Sequence, residues 1–474
     1  MSVTDQQQEE QTSRYSNLTY LSFGMYQLAW TILVSSLGLF LYFYYHAVIG
    51  LDPLMILLAT ILLTFWYGLN DPLIGYLLDR NFKWTRKWGR RFPWIVICAV
   101  PWAFSIVLIF AAPSAAINPW PAFFWFIMAN AIYETLITTL DINITALRAD
   151  KFRTESERRK YSFFFAPLDM IALAVGFILP PLFIGFATGS LSYTIMAIFI
   201  GAITLFFMIL FIPSTREDKI IIDRYFDRHY ERLTFFKGIV KALKTKSFLA
   251  FLIQYSLFLT STTILTAIIV YVINFIILDP DMMMVLMAIF IIGAIVAVPL
   301  WQKVFKKLNN TKKYYVMGNL ILVVVLFPAT FFQGLIDLAI MMFIIGFAMS
   351  SVWTFGIPVI LSNTQDDFVA STGVNQKGIL LGAWGLLTIL TSFIDELVIG
   401  IVFSATGFVG GIETYVELVA TVADVNLVLW GIRLLIGVIP ASITLIGALI
   451  FWKFFPLTQE KILENKLKLK ELKF

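Results

Sequence analysis

Charged side chains are scarce in this sequence of 474 residues, of which only 14% are Asp, Glu, Lys or Arg. A soluble domain typically carries about 25% charged residues, because its surface must face water. Hydrophobic residues make up 59% of the chain, and phenylalanine alone contributes 45 residues. The composition therefore excludes an ordinary soluble globule of this length and indicates that most of the surface faces lipid.

Cysteine and histidine are almost absent. The single cysteine, Cys98, excludes an internal disulfide and is predicted to be a small core residue. The two histidines, His46 and His229, lie far apart in sequence, which argues against a histidine-based metal site or triad. The chain also has no P-loop, no H-E-x-x-H and no G-x-S-x-G motif. These absences predict a protein that is not an enzyme and has neither a cofactor nor a metal site.

Long apolar runs dominate what is present. A helix needs roughly 20 apolar residues to cross the hydrocarbon core of a membrane. We predict twelve such helices, helix 1 to helix 12, over residues 19–46, 53–78, 92–112, 119–147, 161–187, 191–212, 247–278, 281–303, 314–332, 335–361, 378–405 and 426–455. The predicted fold class is an all-α integral membrane protein.

One long polar segment, after helix 6, interrupts this series. It divides the chain into two six-helix halves, which is the architecture of the major facilitator superfamily. In that architecture a substrate binds between the halves, which rock against each other. We predict an N-terminal tail at 1–18, an N-terminal half at 19–212, a linker at 213–246, a C-terminal half at 247–455 and a C-terminal tail at 456–474.

Lysine and arginine fall almost entirely on one side of these helices. Loops 2–3, 4–5 and 8–9 and the linker are basic, whereas the six loops on the other side contain neither residue. Because basic loops stay in the cytoplasm, both termini are predicted to be cytoplasmic and the protein to lie in the cell membrane. This bias also explains the net charge of +5. The expected partners are a small-molecule substrate and the lipid bilayer, with no nucleic acid, and the protein is expected to be a monomer.

Helix 2 and the loop after it read WYGLNDPLIGYLLDRNFKWTRKWGRRFPW. The pattern N-D-P-x-x-G-x-x-x-D-R, followed by G-R-R-x-P-W, resembles the signature of the glycoside–pentoside–hexuronide cation symporters, the melibiose-permease-like family. The resemblance implies a secondary transporter that moves a sugar-like solute with Na⁺ or H⁺. The charged turn in this segment has either a gating or a purely structural role; its predicted gating motif comprises Gly75, Asp79, Arg80, Gly89, Arg90 and Arg91.

Helix 2 also contains a proline. Pro72 has no N–H, so it leaves the carbonyl of Gly68 without its helical donor, next to Asp71. Gly68 and Gly75 are a heptad apart and are predicted to allow close approach of a neighbouring helix.

Helix 4 carries a polar stripe on an otherwise apolar sequence. Its members recur every three or four positions and therefore share one helix face. Ionisable groups at this depth cost about 2.5–3.5 kcal/mol each and are functional candidates. We interpret the stripe as the lining of a water-filled path, with helix–helix contact as the alternative. It consists of Asn130, Glu134, Thr138, Asp141, Thr145 and Arg148.

Two sets of site residues follow. By resemblance to the family, Asp71 takes the place of a cation-binding acid, and Thr138 and Asp141 those of site residues on helix 4. With Asn70 they form the predicted cation-coupling set. The predicted substrate or cavity set comprises Gln27, Thr31, Tyr67, Asn130, Glu134, Thr145, Trp353, Trp384, Asp395 and Arg433.

Arg433 is the only basic residue that the predicted topology places inside the membrane near the outer side. We expect it to face the interior and pair with an acid of helix 11 or of loop 11–12. Snorkelling of its long side chain to the interface is the alternative.

Several sugar-site positions of the family differ in this chain. They fall near Ala29, at Tyr67, at Thr145, among Phe163–Phe165 and near Ile389. Three hypotheses follow: a carrier of a sugar-like solute, a carrier of an amphiphile such as a lysolipid, which a distant branch of the superfamily transports, and a receptor or scaffold that no longer transports. The first agrees with the motif, the altered positions favour the second, and the intact stripe on helix 4 argues against the third.

Overall fold

The computed structural model describes residues 15–78, 82–152, 154–184, 186–222, 243–308, 310–353, 357–372 and 377–471. Within these ranges the chain is almost entirely helical and forms no β-strand. Ten of the helices are long and apolar enough to cross a membrane, and a shorter apolar helix lies at Leu335–Ser351. The prediction of an all-α membrane fold is confirmed.

The helices are numbered here after the spans they form. The first six are α1 (Asn17–Phe43, continued by the π-helical turn Tyr44–Val48), α2 (Pro53–Leu78), α3 (Phe92–Ile109), α4 (Pro119–Lys151), α5 (Glu155–Ile184) and α6 (Ser190–Phe211). The next are α7 (Lys246–Val272), α8 (Met282–Leu308), α9 (Thr311–Leu326), α10a (Leu335–Ser351), α10b (Ile357–Thr372), α11 (Lys377–Thr406), α12a (Val425–Ile436) and α12b (Val438–Phe454). Short helices lie at Thr85–Trp88, Tyr415–Thr421 and Gln459–Glu471.

Several helices continue beyond the predicted spans at their basic or polar ends. α4 reaches Lys151, α8 reaches Leu308 and α10b reaches Thr372, whereas the apolar runs end at 147, 303 and 361. The hydrophobic pattern marks only the part of a helix inside the hydrocarbon core. Lys and Arg remain good helix formers outside it, so α4 and α8 do not stop where the apolar run stops. The extension of α10b has neither residue and packs against the helix Gln459–Glu471.

The described residues form two compact units. The first contains the residues up to Leu51 and those from Ile61 to 222; the second contains Asp52–Thr60 and the residues from 243 onward. In the first unit α1 packs against α5 and α6, while α3 packs against α4 and α6. In the second, α7 packs against α11 and both parts of α12, and α8 packs against α10a. The predicted halves and linker stay a prediction, because much of 213–246 lies outside the described ranges.

α8 and α10a meet at two reciprocal glycines. A Cβ built at Gly293 would lie 2.2 Å from the carbonyl oxygen of Phe343, and one built at Gly346 would lie 2.0 Å from that of Phe290. In a membrane, small residues at an interface allow two backbones to approach this closely. Each helix therefore fits the other only while both glycines are present.

Gly346→Ala is expected to lower the midpoint of thermal unfolding, because its methyl group meets backbone that moves only if the helices separate. Overpacking of this kind costs about 1–3 kcal/mol. Gly68→Ala is the matched control, because no described heavy atom lies within 4 Å of a Cβ built at Gly68. The same is true of Gly75, so the close helix approach predicted at these two glycines is wrong. Equal stability of the two variants in purified protein would contradict the packing argument.

Candidate ion and substrate site

Thr138 on α4 links this helix to α2 through Asp71, one of the acids predicted to bind a cation. Its hydroxyl donates to a carboxylate oxygen of Asp71 on α2 at 3.1 Å. Asp141 lies three residues further along the same face of α4, and it is close enough to Asp71 for the two carboxylates to interact electrostatically. Glu134, one turn before Thr138, interacts with both acids. We call Asp71, Glu134, Thr138 and Asp141 the acid cluster.

Asn70 adjoins the acid cluster and is only 2% exposed. Thr135 lies 3.1 Å from the side-chain oxygen of Asn70, but its single hydroxyl hydrogen is also within reach of the carbonyl of Ala131 at 2.8 Å. The amide nitrogen of Asn70 has no hydrogen-bond partner in the described part of the chain. Turning the amide over lets this nitrogen donate to Thr135, which then donates to Ala131. That arrangement satisfies Thr135 and the amide nitrogen and leaves the buried amide oxygen without a donor, available to a cation.

A cation at the acid cluster would therefore be held by mixed oxygen ligands from carboxylates, a hydroxyl and an amide. In the described ranges no group of three or more His, Cys, Asp or Glu side chains is arranged to hold a metal ion. The arrangement suits a weakly held, exchangeable ion more than a resident metal.

A cavity of about 340 Å³ lies between α1, α4 and α5 in the first unit. Aromatic rings form much of its wall, and the C-terminal part of the polar stripe on α4 forms the rest. Its lining residues are Phe23, Tyr26, Gln27, Trp30, Asp141, Ile144, Thr145, Arg148, Tyr161 and Phe165. Three predicted site residues, Gln27, Asp141 and Thr145, thus share one cavity.

Most polar groups around this cavity are bonded to the protein itself. Tyr26 donates its hydroxyl hydrogen to Asp141. Gln27 donates to a carboxylate oxygen of Asp169 on α5 at 2.6 Å, and Thr31 donates to the same oxygen at 3.2 Å. These bonds fix α1 against α4 and α5 and leave the amide and carboxylate with less capacity to bind a solute.

Arg148 lines the same cavity and is exposed, although it also contacts Tyr161 and interacts electrostatically with the carboxylate of Asp141. Its guanidinium carbon lies 5.8 Å from the centroid of the Tyr161 ring. A guanidinium offers five donors in a planar fork, which suits a phosphate or carboxylate. The cavity therefore presents one accessible cation surrounded by aromatic faces.

Sequence reasoning missed Tyr26 and Tyr161, and it named neither Arg148 nor Asp169 in the predicted cation or substrate set. Arg148 is the last member of the stripe on α4 and was therefore predicted to line a water-filled path, but its position in a basic loop kept it out of the predicted substrate set. Asp169 is an acid inside an apolar helix, a signal that the sequence does contain. Tyr26 and Tyr161 carry no such signal in a chain this rich in aromatic residues.

The other candidates in the first unit are placed apart from the cavity lining. Asn130 is buried and donates to the carbonyl of Phe126 in its own helix at 2.8 Å. Tyr67 is half-buried on α2, four residues before Asp71. These observations assign a substrate role to neither Asn130 nor Tyr67.

In the second unit Trp353 is half-buried and Asp395 is buried. The ring of Trp353 packs edge-to-face on those of Phe258 and Phe290, at centroid distances of 6.5 and 6.3 Å. Asp395 is buried and accepts the backbone N–H of Glu396 at 3.0 Å. The side chain of Trp384 lies outside the described part of the chain.

The prediction that Arg433 pairs with an acid is wrong. Its guanidinium donates to the carbonyl oxygen of Phe332 at 2.6 Å and lies 4.5 Å from the centroid of that ring. The acids of loop 11–12 are used locally: Glu417 accepts the N–H groups of Glu413 and Thr414, and Asp424 caps α12a. Carboxylates at helix starts satisfy free N–H groups there, so they are not free to meet the arginine.

The turn before α3 is held by a residue far along the chain. One carboxylate, that of Glu217 after α6, accepts the backbone N–H groups of Arg90 at 3.1 Å, Arg91 at 2.5 Å and Phe92 at 3.2 Å. These are free N–H groups at a helix N-terminus, where negative charge is favoured. The side chain of Arg90 donates to the carbonyl of Leu78 at 3.0 Å. Two other gating candidates, Asp79 and Arg80, lie outside the described residues.

The same region ties the chain after α6 to the end of α4. Lys151 is buried and donates to the carbonyl oxygens of Ser214 and Arg216. The hydroxyl of Tyr15, before α1, donates to Asp218 at 2.6 Å. Residues 214–218 are therefore attached to the first unit.

Gly89→Ala is expected to destabilise this turn by about 1–3 kcal/mol. Gly89 has a φ of +89°, which a residue with a side chain rarely adopts, and its Cβ would lie 2.5 Å from the Glu217 carboxyl carbon. Gly75→Ala is the control from the same motif, because no described heavy atom lies within 4 Å of its Cβ. Thermal unfolding of both variants gives the measurement, and a Gly89→Ala midpoint equal to that of Gly75→Ala would refute the strain.

A family model described as "MFS/sugar transport protein" matches residues 22–459. The chain belongs to this family. The predicted superfamily is thereby confirmed, and the protein is a multi-pass membrane transporter of the secondary type, not an enzyme.

Two named transporters are similar to this chain in sequence. The chain is 23% identical over 481 residues to the sodium-dependent lysophosphatidylcholine symporter 1 of Gallus gallus, covering 92% of this chain and 86% of that protein. It is 24% identical over 142 residues to the sphingosine-1-phosphate transporter MFSD2B of Xenopus tropicalis, covering 30% of this chain and 27% of that one. The first is named for lysophosphatidylcholine and sodium, and the second for sphingosine-1-phosphate.

Solved structures of transporters share the fold of this chain. The nucleoside transporter NupG has a TM-score of 0.56 at 14% identity and covers 93% of this chain and 98% of its own. The peptide transporter POT in complex with sulfate has a TM-score of 0.56 at 13% identity, covering 99% of each chain. At this identity the likeness concerns the fold alone.

Proposed function

We propose that this transporter is a sodium-coupled symporter of single-chain phospholipids. The observation that carries the proposal is the exposed guanidinium of Arg148 in an aromatic cavity of the first unit. A lysophospholipid headgroup has a phosphate, which an arginine binds bidentately. When the headgroup contains choline, its ammonium group is attracted to the faces of aromatic rings.

The named relatives support this choice over the sugar hypothesis that the helix 2 motif suggests. A sugar site needs several free hydrogen-bonding groups, because every hydroxyl of the solute must be satisfied. Here Asp141 is bonded to Tyr26 and Gln27 to Asp169. Phe23, Trp30 and Phe165, by contrast, line the cavity with apolar surface. The balance of free groups suits an amphiphile better than a sugar.

Coupling is assigned to the acid cluster. The carboxylate of Asp71, the hydroxyl of Thr138 and the freed amide oxygen of Asn70 supply ligands from two helices. Pro72 leaves the carbonyl of Gly68 without a helical donor one turn away, and such freed carbonyls bind Na⁺ in broken transporter helices. Sodium is preferred over a proton as the coupling ion because the hydroxyl, amide and carbonyl oxygens beside the Asp71 carboxylate bind a cation and do not take up a proton.

The cell membrane is the proposed location, with both termini in the cytoplasm. The basic loops support this orientation. Single cysteines at Asn118 and Glu464, introduced with Cys98→Ala, test it with an impermeant thiol reagent on intact cells. The cysteine at 118 is expected to react, and the one at 464 only after the cells are opened. The reverse pattern would invert the topology.

Binding distinguishes the substrate classes. The protein in nanodiscs is heated with lysophosphatidylcholine, with a monoacylglycerol of the same chain, or with melibiose, each in sodium and in potassium buffer. A ligand that binds the folded state raises its stability, by about 2.7 kcal/mol at one hundred times its Kd. We expect stabilisation by the phospholipid alone, stronger in sodium. Stabilisation by melibiose without any by the lysolipid would overturn the proposal in favour of a sugar.

A further inference from the structure

A second hollow lies in the other unit, on the outside of the bundle. A groove of about 560 Å³ runs between α9 and α12b, within the range of roughly 300–1,000 Å³ typical of ligand pockets. Most of its wall is apolar, and parts of it are open: Val324 is 70% exposed and Trp452 63%. Its lining residues are Asn310, Lys312, Lys313, Val316, Met317, Leu320, Ile321, Val324, Val325, Trp452, Leu457 and Thr458. We call it the α9–α12b groove.

The polar residues of the groove are collected at one end. Lys312 and Lys313 lie in the first turn of α9, and Asn310 caps that helix by accepting the N–H of Lys313 at 2.9 Å. Lys312 is also tied to α12b, since it donates to the carbonyl of Phe455 at 2.6 Å. Lys313 is exposed and lines the groove. The positive end of the helix dipole adds to the charge of the two lysines.

The apolar part extends well away from this basic end. Val325 follows Lys313 by twelve residues, which is roughly 18 Å along the helix at about 1.5 Å per residue. A ligand that fills the groove therefore needs a negatively charged head and a long apolar tail. A bilayer lipid approaches from the membrane with its head at the basic edge of the helices, which is the predicted cytoplasmic side.

We propose that the α9–α12b groove binds an anionic phospholipid of the surrounding bilayer. Its phosphate lies at Lys313 and Lys312, and one acyl chain lies along α9 over Leu320 and Val324. Basic pockets at the cytoplasmic ends of membrane helices bind anionic headgroups in this way. The bound lipid would be a structural ligand of the second unit, and the site is separate from the cavity in the first unit assigned to transport.

Native mass spectrometry of the full chain tests this. Protein is released from nanodiscs of neutral phosphatidylcholine alone or with phosphatidylglycerol, and retained lipid is counted. We expect a retained phosphatidylglycerol. Lys313→Gln should lower its retention roughly fivefold, because one basic residue near an anionic headgroup contributes about that factor. Val324→Trp should lower it by filling the groove, and should leave lysophosphatidylcholine binding unchanged.

Lys306→Gln is the matched control, since it removes one positive charge at the basic end of α8 and lies outside the groove lining. Retention in this variant should equal that of the wild type. The proposal fails if Lys313→Gln and Lys306→Gln retain equal amounts, or if neutral and anionic lipids are retained equally. It also fails if glycerol phosphate, which has no acyl chain, competes as well as the intact lipid, because the apolar wall would then have no role.

Discussion

Asp71→Asn is expected to need far more sodium than the wild type for the same uptake. The substitution keeps the shape of the side chain and removes the negative charge that Thr138 contacts at 3.1 Å. A hydrogen bond or ion contact to a charged group contributes about 1.5–3 kcal/mol, so apparent sodium affinity should weaken by roughly 10- to 150-fold. Uptake of labelled lysophosphatidylcholine against sodium concentration measures this.

Controls separate the charge from the fold. Asp71→Glu keeps the charge and should retain part of the sodium response. Asp169→Asn removes a different intramembrane carboxylate, one bonded to Gln27 and Thr31, and should lower stability without changing the sodium concentration for half-maximal uptake. A wild-type sodium curve in Asp71→Asn would exclude the acid cluster as the coupling site, and a response to pH in place of sodium would make the proton the coupling ion.

Arg148→Gln is expected to weaken lysophosphatidylcholine binding by roughly 10- to 150-fold, since it deletes a charged contact to the phosphate of about 1.5–3 kcal/mol. Arg148→Lys keeps the charge but loses the planar fork, so its affinity should lie between those of the wild type and the glutamine variant. Thermal-shift titrations in nanodiscs give the dissociation constants.

Arg159→Gln serves as the control for Arg148→Gln. It removes one exposed arginine at the start of α5 and lies outside the cavity lining. Both variants should bind monoacylglycerol as weakly as the wild type. If Arg148→Gln binds the phospholipid with unchanged affinity, the cavity does not hold the headgroup, whatever the substrate proves to be.

Much of the fold could be predicted because each helix that crosses a bilayer needs an apolar run of roughly 20 residues. Pro53–Leu78 was predicted to the residue, since a proline begins the helix and the apolar run spans it. Helix ends in the polar region were less certain. α4 continues to Lys151 and α8 to Leu308 because the charged residues there are good helix formers. A prediction from hydrophobicity alone does not include such residues.

The site was predictable as a face of one helix, but its partners were not. The spacing of Thr138 and Asp141 puts them on one side of α4, yet it does not say that Tyr26 donates to Asp141 from α1. For Arg433 the sequence predicted a partner that the structure does not show. Nearby acids in the sequence suggested a partner, whereas those acids cap helices and the guanidinium binds the carbonyl of Phe332.

The attachment of residues 214–218 decides where the chain can be divided for expression as two fragments. A cut after Ile212 would place Glu217 on the fragment that carries the second unit and remove the acceptor of three N–H groups before α3. Lys151 would lose both of its carbonyl acceptors by the same cut. A fragment that ends after Lys219 keeps all of these contacts, so the first six helices should be obtained as a stable piece only in that longer form.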